Sequence, residues 1–396
     1  MVQHLPAVGF EIWHSLGACI ALLTIALVLR EAGVIRWLAL QVAWLGRGLG
    51  YFLFGGLVML GAVVALAFGH YATALVVLPI AVELLLVLEV GPAAIVAIVT
   101  AIGFMAHVAS LPLMISNWVN LMAADYFRIS FGRYALVMVP VGFVAIATSF
   151  AVLWFYFQRY VPRHYPYDRL DPPASAIRDP LILRHSVILL PLLWLGCGLA
   201  APLGLPIALV PAAIALFLLA IAGRCFNRHT AAILSPRQIV QAIPWRLILV
   251  GFGVHLIIIG LHLAGSTALL SQLLSQLAHW GLTLTTLGSG FLAALLAAIL
   301  NQLPAVWLES LALQSLPNLD PGLREATIYA NIIGCGLGGA IAPFSSLATL
   351  TWMKLLARHK LRVSWWPYIR INLALTLPVL LVVLLTLTVW LPWLRV

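Results

Sequence analysis

The architecture of this chain depends on ASLPLMISN at residues 109–117 and AIAPFSSLA at residues 340–348. Each segment interrupts a long apolar run with one proline, Pro112 or Pro343, close to hydroxyl or amide side chains. Proline removes a backbone donor and breaks the helical hydrogen-bond ladder. Backbone groups freed in this way inside a membrane must line a cavity or pack against protein. Together with Pro304, these prolines predict helix breaks within an apolar protein.

The composition around these segments is that of a membrane protein. Hydrophobic residues make up 64% of the 396 positions and charged residues only 8%. A spanning helix needs roughly 20 apolar residues, and about ten such stretches fill the chain. The alternating pattern of a membrane β-barrel is absent. The sequence therefore predicts an all-α polytopic membrane protein.

The charge and the cysteines exclude several classes of protein. A net charge of +10 would favour nucleic acid in a soluble protein, but in a membrane protein it belongs in loops on one side of the bilayer. We expect no nucleic-acid partner. Four scattered cysteines show neither disulfide nor metal-site spacing, and no nucleotide loop or metal motif occurs. We expect no metal, no cofactor and no catalytic residue.

The chain repeats itself. LREAG at residues 29–33 recurs as LHLAG at residues 261–265, 232 positions later, and the two proline segments are 231 positions apart. Repeats with interrupted apolar segments are typical of secondary transporters. Each repeat is predicted to contain a spanning helix, an interfacial arm helix, a re-entrant hairpin, a broken helix and a closing helix. We assign residues 1–158 to the first repeat, 159–185 to a polar linker and 186–396 to the second repeat.

The basic residues test an inverted arrangement of the two repeats. With the linker in the cytoplasm, that arrangement places four of the 21 basic residues outside, namely Arg128, Arg133, Arg324 and Arg395, and the other 17 inside. This is the distribution that the positive-inside rule requires. The sequence therefore predicts a cytoplasmic linker and a periplasmic C-terminus.

The segment YANIIGCGLGGAIAPFSSLATLTWM at residues 329–353 resembles the broken-helix signature of the ArsB-type arsenite permeases. ASLPLMISNWVNLMAADYF at residues 109–127 and AIRDP at residues 176–180 extend the resemblance across the chain. It implies an ion-transporter-superfamily fold of two inverted repeats, with a scaffold and a moving part. It also implies efflux of arsenite and antimonite across the bacterial inner membrane.

The chain departs from the family pattern at three expected carboxylates. His70-Tyr71 stands at the first hairpin tip in place of Asn-Asp, His107 replaces an aspartate before the first break, and Gly336 replaces an aspartate before the second. Against the same pattern the first repeat lacks two N-terminal helices. These departures put coupling through the family's usual groups in question.

Arsenite at neutral pH is mainly uncharged As(OH)₃, so its site requires hydrogen-bond donors and acceptors and no charge. Candidates lie at the hairpin tips and helix breaks, with Asn117, Asn301 and Ser346 as first choices. The alternative is that these side chains only bond across helices or to freed carbonyls, as they often do in membranes. The full set is Tyr71, Thr73, Ser110, Ser116, Asn117, Asn301, Gln302, Ser345, Ser346 and Thr349.

Four ionisable groups are candidates for coupling transport to protons. His70 and His107 titrate near physiological pH, and Glu83 and Glu309 lie on the second legs of the two hairpins. A carboxylate inside a membrane is costly and seldom kept without a task. The alternatives are a packed neutral histidine and a glutamate solvated at the interface.

The leading functional hypothesis is arsenite efflux in exchange for protons, by an elevator-like displacement of the hairpin domains. The alternatives are a passive facilitator or channel and an anion carrier of the same superfamily. A cytosolic ATPase subunit docked on the basic linker and a homodimer are possible partners under the first hypothesis.

Overall fold

The computed structural model describes residues 5–200, 202–225 and 234–394. These ranges contain seventeen α-helices and no β-strand, which confirms the all-α prediction. The helices up to the linker run in this order: α1 Leu5–Glu31, α2 Val34–Leu45, α3 Gly50–Phe68, α4 His70–Val87, α5 Pro92–Ala109, α6 Trp118–Tyr126 and α7 Phe131–Phe157.

Ten further helices complete the described chain, and the first of them begins inside the segment assigned to the linker. The second half carries α8, α9 and α10 before it reproduces the order of helices seen in the first half. Their bounds are α8 Pro180–Ala200, α9 Leu209–Ala222, α10 Pro236–Ala242, α11 Arg246–Leu263, α12 Ser266–Ala278, α13 Gly281–Leu300, α14 Gln302–Gln314, α15 Pro321–Gly338, α16 Leu347–Arg358 and α17 Trp365–Trp393.

Seven of the described helices are long and apolar enough to cross a membrane. The number rises to nine if the bent pairs α1–α2 and α11–α12 each count as one span, close to the ten apolar stretches in the sequence. The bends of 63° and 73° occur at Gly33 and Gly265. Both glycines have a left-handed φ, +83° and +80°, which a residue with a Cβ seldom adopts. The two arm helices therefore leave their spanning helices at glycine corners.

The two hairpins turn on matching backbone conformations. The first hairpin, α3–α4, turns at Gly69 with φ 93° and ψ 159°, and the second, α13–α14, turns at Asn301 with φ 88° and ψ 147°. His70 therefore matches Gln302, an offset of 232 residues. Pro304 lies in the first turn of α14, where proline is tolerated, and the chain reverses before it.

The two helix breaks also match, but not at their prolines. In the first break, residues 110–117, a short 3₁₀ turn spans Met114–Ser116; in the second, residues 339–346, it spans Pro343–Ser345. Pro343 thus corresponds to Met114, and Asn117 to Ser346, an offset of 229 and not 231. Pro112 lies in the unwound chain two residues before the 3₁₀ turn. The sequence comparison placed the breaks correctly and their register incorrectly.

The two halves interlock through their hairpins. The second leg of the first hairpin, α4, packs on α16, and the second leg of the other hairpin, α14, packs on α6. In the latter contact the Tyr126 and Trp307 rings meet edge to face at 5.1 Å. Helices α5, α7, α15 and α17 pack against one another around this centre. Each hairpin therefore rests on the broken helix of the other half.

The linker is hydrogen-bonded to the chain beside the first glycine corner, Gly33. The Arg178 amide donates to the Ala32 carbonyl at 2.9 Å, and the Trp44 indole donates to the Asp171 carbonyl at 3.1 Å. A Cβ on Gly33 would collide with the carbonyl oxygen of residue 176. A buried ion pair between residues 224 and 179, at 3.0 Å, ties the end of α9 to the start of α8. The linker therefore belongs to the packed structure.

The charged loops collect at two ends of the molecule. At the end where α7 finishes, the linker shares one crevice with Arg36, and the chain after α7 shares another with Lys360 and Arg362. At the other end of this helix, which is about 40 Å long, Arg133 pairs with Glu325 at 2.8 Å and donates to the carbonyl of residue 394. Two basic residues that entered the topology prediction lie outside the described residues: Arg228 and Arg395.

Candidate functional site

Both hairpin tips and both helix breaks meet around one cavity of about 60 Å³. On this scale a water needs roughly 10–15 Å³, so the cavity holds about four water-sized groups. Its wall contains no Asp, Glu, Lys or Arg among the described residues. The wall consists of Leu16, Cys19 and Leu23 of α1, residues 69–72 and 301–303 of the tips, Phe68, and residues 115–118 and 346–348 at the breaks.

Two histidines stack beside the first hairpin tip. The His70 and His107 rings lie 4.6 Å apart at an angle of 29°, and only His70 belongs to the cavity wall. His70 Nε2 is 3.3 Å from the side-chain nitrogen of Gln302, the matching residue of the other tip. The two tips therefore touch through equivalent residues, and His107 supports His70 from behind.

Several buried polar atoms of the cavity wall have no hydrogen-bond partner in the described structure: His70 Nδ1, Gln302 Oε1, Trp118 Nε1 and Ser346 Oγ. A buried polar atom without a partner costs about 1–3 kcal/mol, and such atoms are common where a ligand completes the bonding. Together they offer donors and acceptors and no full charge when the histidine is neutral. This arrangement suits a small neutral solute that carries hydroxyl groups.

The first break is held by its own side chains. The Asn120 amide nitrogen lies 2.8 Å from the Ser110 carbonyl, 3.4 Å from that of Leu111 and 3.1 Å from that of Leu113. Asn117 caps α6 by accepting from the amide of residue 119 at 3.0 Å. Two contacts from outside add to these bonds: the Ser116 hydroxyl donates to the Leu66 carbonyl of α3, and the Tyr134 hydroxyl of α7 donates to the Leu111 carbonyl.

The second break is held by hydrogen bonds with the neighbouring hairpin, α13–α14. The Asn301 amide donates to the Phe344 carbonyl at 2.8 Å, and the Ser345 hydroxyl donates to the Ala298 carbonyl of α13 at 3.0 Å. Asn301 also caps α14 by accepting from the amide of residue 303 at 3.2 Å. Ser346, which matches Asn117 of the first break, caps nothing. Its hydroxyl therefore has no structural task in the described protein.

The remaining predicted residues divide by position. Tyr71, Ser116, Asn117 and Asn301 line the cavity together with Gln302, Ser346 and His70. Four others are buried outside its wall: Thr73, Ser110, Ser345 and Thr349. Ser110 donates to the His107 carbonyl at 2.8 Å, and the Thr73 hydroxyl lies 3.4 Å from the carbonyls of residues 61 and 69. These two hydroxyls, like that of Ser345, are occupied with backbone.

The two glutamates have opposite surroundings. Glu83 is exposed and lines a crevice with Arg36 and Arg169, away from the central cavity. Glu309 is fully buried, neither of its oxygens has a partner in the described structure, and it lies near Cys335. Within the described ranges no three His, Cys, Asp or Glu side chains gather to hold a metal ion.

Two residues of the site were not foreseen from the sequence. Trp118 places an indole N–H among the wall residues, and Asn120 holds the first break. The only sequence signal for Asn120 was a second amide one turn after Asn117 within an apolar helix. Trp118 carried no signal, because an aromatic residue beside a break is more often apolar packing.

Comparison with known proteins identifies the family of this chain and a solved structure with a similar fold. Residues 3–391 match the family described as "Arsenical pump membrane protein". Proteins of that name from Escherichia coli and Yersinia enterocolitica are 38% and 39% identical, over 97% of this chain and 88% of theirs. The Alcanivorax borkumensis YdaH transporter has a similar fold, with a TM-score of 0.60 and 15% identity, covering 99% of this chain and 88% of that one.

Proposed function

The chain belongs to the arsenical pump membrane protein family, and we propose that it expels arsenite as neutral As(OH)₃ in exchange for protons. Membership of the family makes the chain a membrane protein for arsenic efflux and a transporter, not an enzyme. The observation that supports the finer proposal is the uncharged cavity between the two hairpin tips and the two breaks.

The wall of the cavity favours As(OH)₃ over an anion. As(OH)₃ carries three hydroxyls on one arsenic, and each hydroxyl both donates and accepts a hydrogen bond. Gln302 Oε1 can accept, the Trp118 indole can donate, and the Ser346 hydroxyl can do either. An anion carrier would require a cation or a cluster of donors at this place. Antimonite, as Sb(OH)₃, presents the same hydroxyls and follows the same route in this proposal.

The histidine pair is the proposed proton carrier. His70 belongs to the cavity wall, so a proton on its ring and a bound solute compete for the same atom, Nδ1 or Nε2. His107 stacks on it, and because two adjacent charged rings would repel each other the pair holds one proton at a time in this scheme. Glu309 is a second proton carrier in this scheme, since a buried carboxylate without a partner is rarely kept without a task. Glu83, exposed at a crevice, has no part in it.

We propose that alternating access arises when the hairpins and broken helices move against the remaining helices. Two inverted repeats, residues 1–158 and 186–396, would move their hairpins and broken helices as one body, because each hairpin packs on the other half's broken helix. Helix α1, with Leu16 and Cys19 in the wall, would act as the fixed side with α2, α8 to α10, α11 and α12.

The proposed setting is the bacterial inner membrane, with the linker at residues 159–185 in the cytoplasm and the C-terminus in the periplasm. The gathering of Arg36, Arg169, Lys360 and Arg362 at one end supports this orientation. A cytosolic ATPase subunit on the linker and a homodimer stay predictions.

The test is arsenite uptake into inverted membrane vesicles, with and without an imposed pH gradient. We expect gradient-driven accumulation, and we expect its loss in His70→Ala and His107→Ala. Glu83→Gln is the matched control and should accumulate arsenite normally. Equilibration that ignores the gradient would instead establish a passive facilitator, and normal coupling in both histidine variants would move the proton site to Glu309.

A further inference from the structure

A second cavity lies at the surface and shares no lining residue with the central one. It has a volume of about 450 Å³ and lies between the first two turns of α5, the last turn of α7 and the chain that leads into α17. Its floor is apolar, with Val96, Ala97 and Ile371, and its rim carries Lys360 and Arg362. None of these residues belongs to the proposed arsenite site.

The position of this cavity is the edge of the bilayer. Helices α7 and α17 expose large apolar side chains outward, such as Phe143, Phe155 and Leu377, as helices that face lipid do. Tyr156 and Tyr160 line the cavity and are 40% and 52% exposed. Aromatic rings of this kind concentrate at the boundary between acyl chains and headgroups. The cavity thus opens sideways where headgroups lie.

The two basic side chains at the rim of this cavity are available to a ligand. Lys360 and Arg362 are both exposed and form no ion pair in the described part of the chain. Basic pockets between transmembrane helices at this depth bind the phosphate of anionic lipid headgroups. Lys360 has a left-handed φ of +62°, and its amide bonds back to the Ala357 carbonyl at 3.1 Å, which fixes the turn that presents both cations.

From this geometry we infer that the cavity is a binding site for one anionic phospholipid. The phosphate lies between Lys360 and Arg362, the tyrosine rings flank the glycerol region, and an acyl chain fills the groove over Val96 and Ala97. Because the groove is built from α5 and α7 of one half and α17 of the other, the lipid contacts both halves at once. The proposal does not depend on what the transporter carries.

The test is native mass spectrometry of the purified protein with phosphatidylglycerol or phosphatidylcholine. We expect phosphatidylglycerol to be retained, and the double variant Lys360→Gln/Arg362→Gln to bind it roughly 30-fold more weakly. The matched control is Lys354→Gln/Arg358→Gln, which removes two exposed basic residues of α16 at the same end and should leave binding unchanged. Equal losses in the two double variants would overturn the site.

A third variant separates a lipid from a free phosphate. Ala93 is exposed at the mouth of the groove, so Ala93→Trp blocks the acyl chain and leaves both cations in place. We expect this variant to lose phosphatidylglycerol. If it retains the lipid, no acyl chain lies in the groove, the cations form a simple phosphate site and the lipid proposal is wrong.

Discussion

The two helix breaks share a backbone and differ in chemistry. Asn117 and Ser346 begin the following helices with nearly the same φ and ψ, −143° and 137° against −144° and 134°. The tyrosine of each closing helix, at position 134 or 368, donates to a carbonyl of its break at 2.9 Å. Yet the first break bonds its own carbonyls through Asn120, whereas the second relies on Asn301 of the neighbouring hairpin.

The polar side chains of the first break hold its backbone, whereas the second break keeps a side chain free to bind a solute. In the first break the side chains at 117 and 120 are occupied with backbone, so this break is stiff without any solute. In the second break the Ser346 hydroxyl stays unpartnered beside Gln302. Each half therefore supplies two of the four free wall atoms, His70 Nδ1 and Trp118 Nε1 against Gln302 Oε1 and Ser346 Oγ, and the first half also supplies the more rigid break.

The largest expected effect comes from Asn120→Ala. The change removes the donor to the Ser110 and Leu113 carbonyls, while the Leu111 carbonyl keeps the Tyr134 hydroxyl, and unmet buried groups cost about 1–3 kcal/mol. We expect the midpoint of thermal unfolding in detergent to fall and arsenite transport to fall with it.

Thr349→Ala is the matched control, since Thr349 holds the equivalent place in α16. Its hydroxyl lies toward that of Tyr368 and bonds no carbonyl of the break in the described structure. A smaller loss of stability in this variant would support the comparison. Equal losses in the two variants would show that the first break does not depend on its amide.

Much of the contrast between the two helix breaks could not be predicted from the sequence. Apolar runs and the repeated LREAG and LHLAG segments predicted an all-helical fold with the elements in the right order, because apolar length and local motifs are visible in the sequence. Proline served as a landmark for both breaks, yet Pro343 matches Met114, since proline can occupy more than one position of an unwound stretch. Which polar atoms are already bonded depends on partners that are distant in the sequence, such as the Ala298 carbonyl that accepts from Ser345.

The residues of the candidate site could likewise be predicted only in part from the sequence. Gln302, Ser346 and His70 could be named in advance because they are polar residues beside breaks in apolar helices. Trp118 and Asn120 could not, because an indole and a second amide in such a helix are more often packing than part of a site. Which of the named side chains stay free could be decided only from the packed structure.

A second, intermediate effect should separate Asn117 from Ser346. Asn117→Ala removes the cap of α6, and loss of such a cap costs about 1 kcal/mol, so we expect lower thermal stability. Ser346→Ala removes a hydroxyl that caps nothing, so stability should hold while the KM for arsenite rises about fivefold, the value of one neutral hydrogen bond. Transport kinetics and unfolding are measured on both variants. The contrast fails if Ser346→Ala unfolds as early as Asn117→Ala with an unchanged KM.

The smallest effect on transport is expected at Cys19, the thiol of the cavity wall. In a chain with Cys197, Cys225 and Cys335 changed to alanine, bound arsenite should slow the reaction of Cys19 with a maleimide. The control moves the thiol to Gly17, which is exposed and has open space around it, as Gly17→Cys/Cys19→Ala, where arsenite should give no protection. Because the free groups of the wall are oxygens and nitrogens, Cys19→Ala alone should transport arsenite at the normal rate. A large loss in that variant would mean that the thiol binds arsenic directly and that the hydrogen-bonding wall is not sufficient to hold the solute.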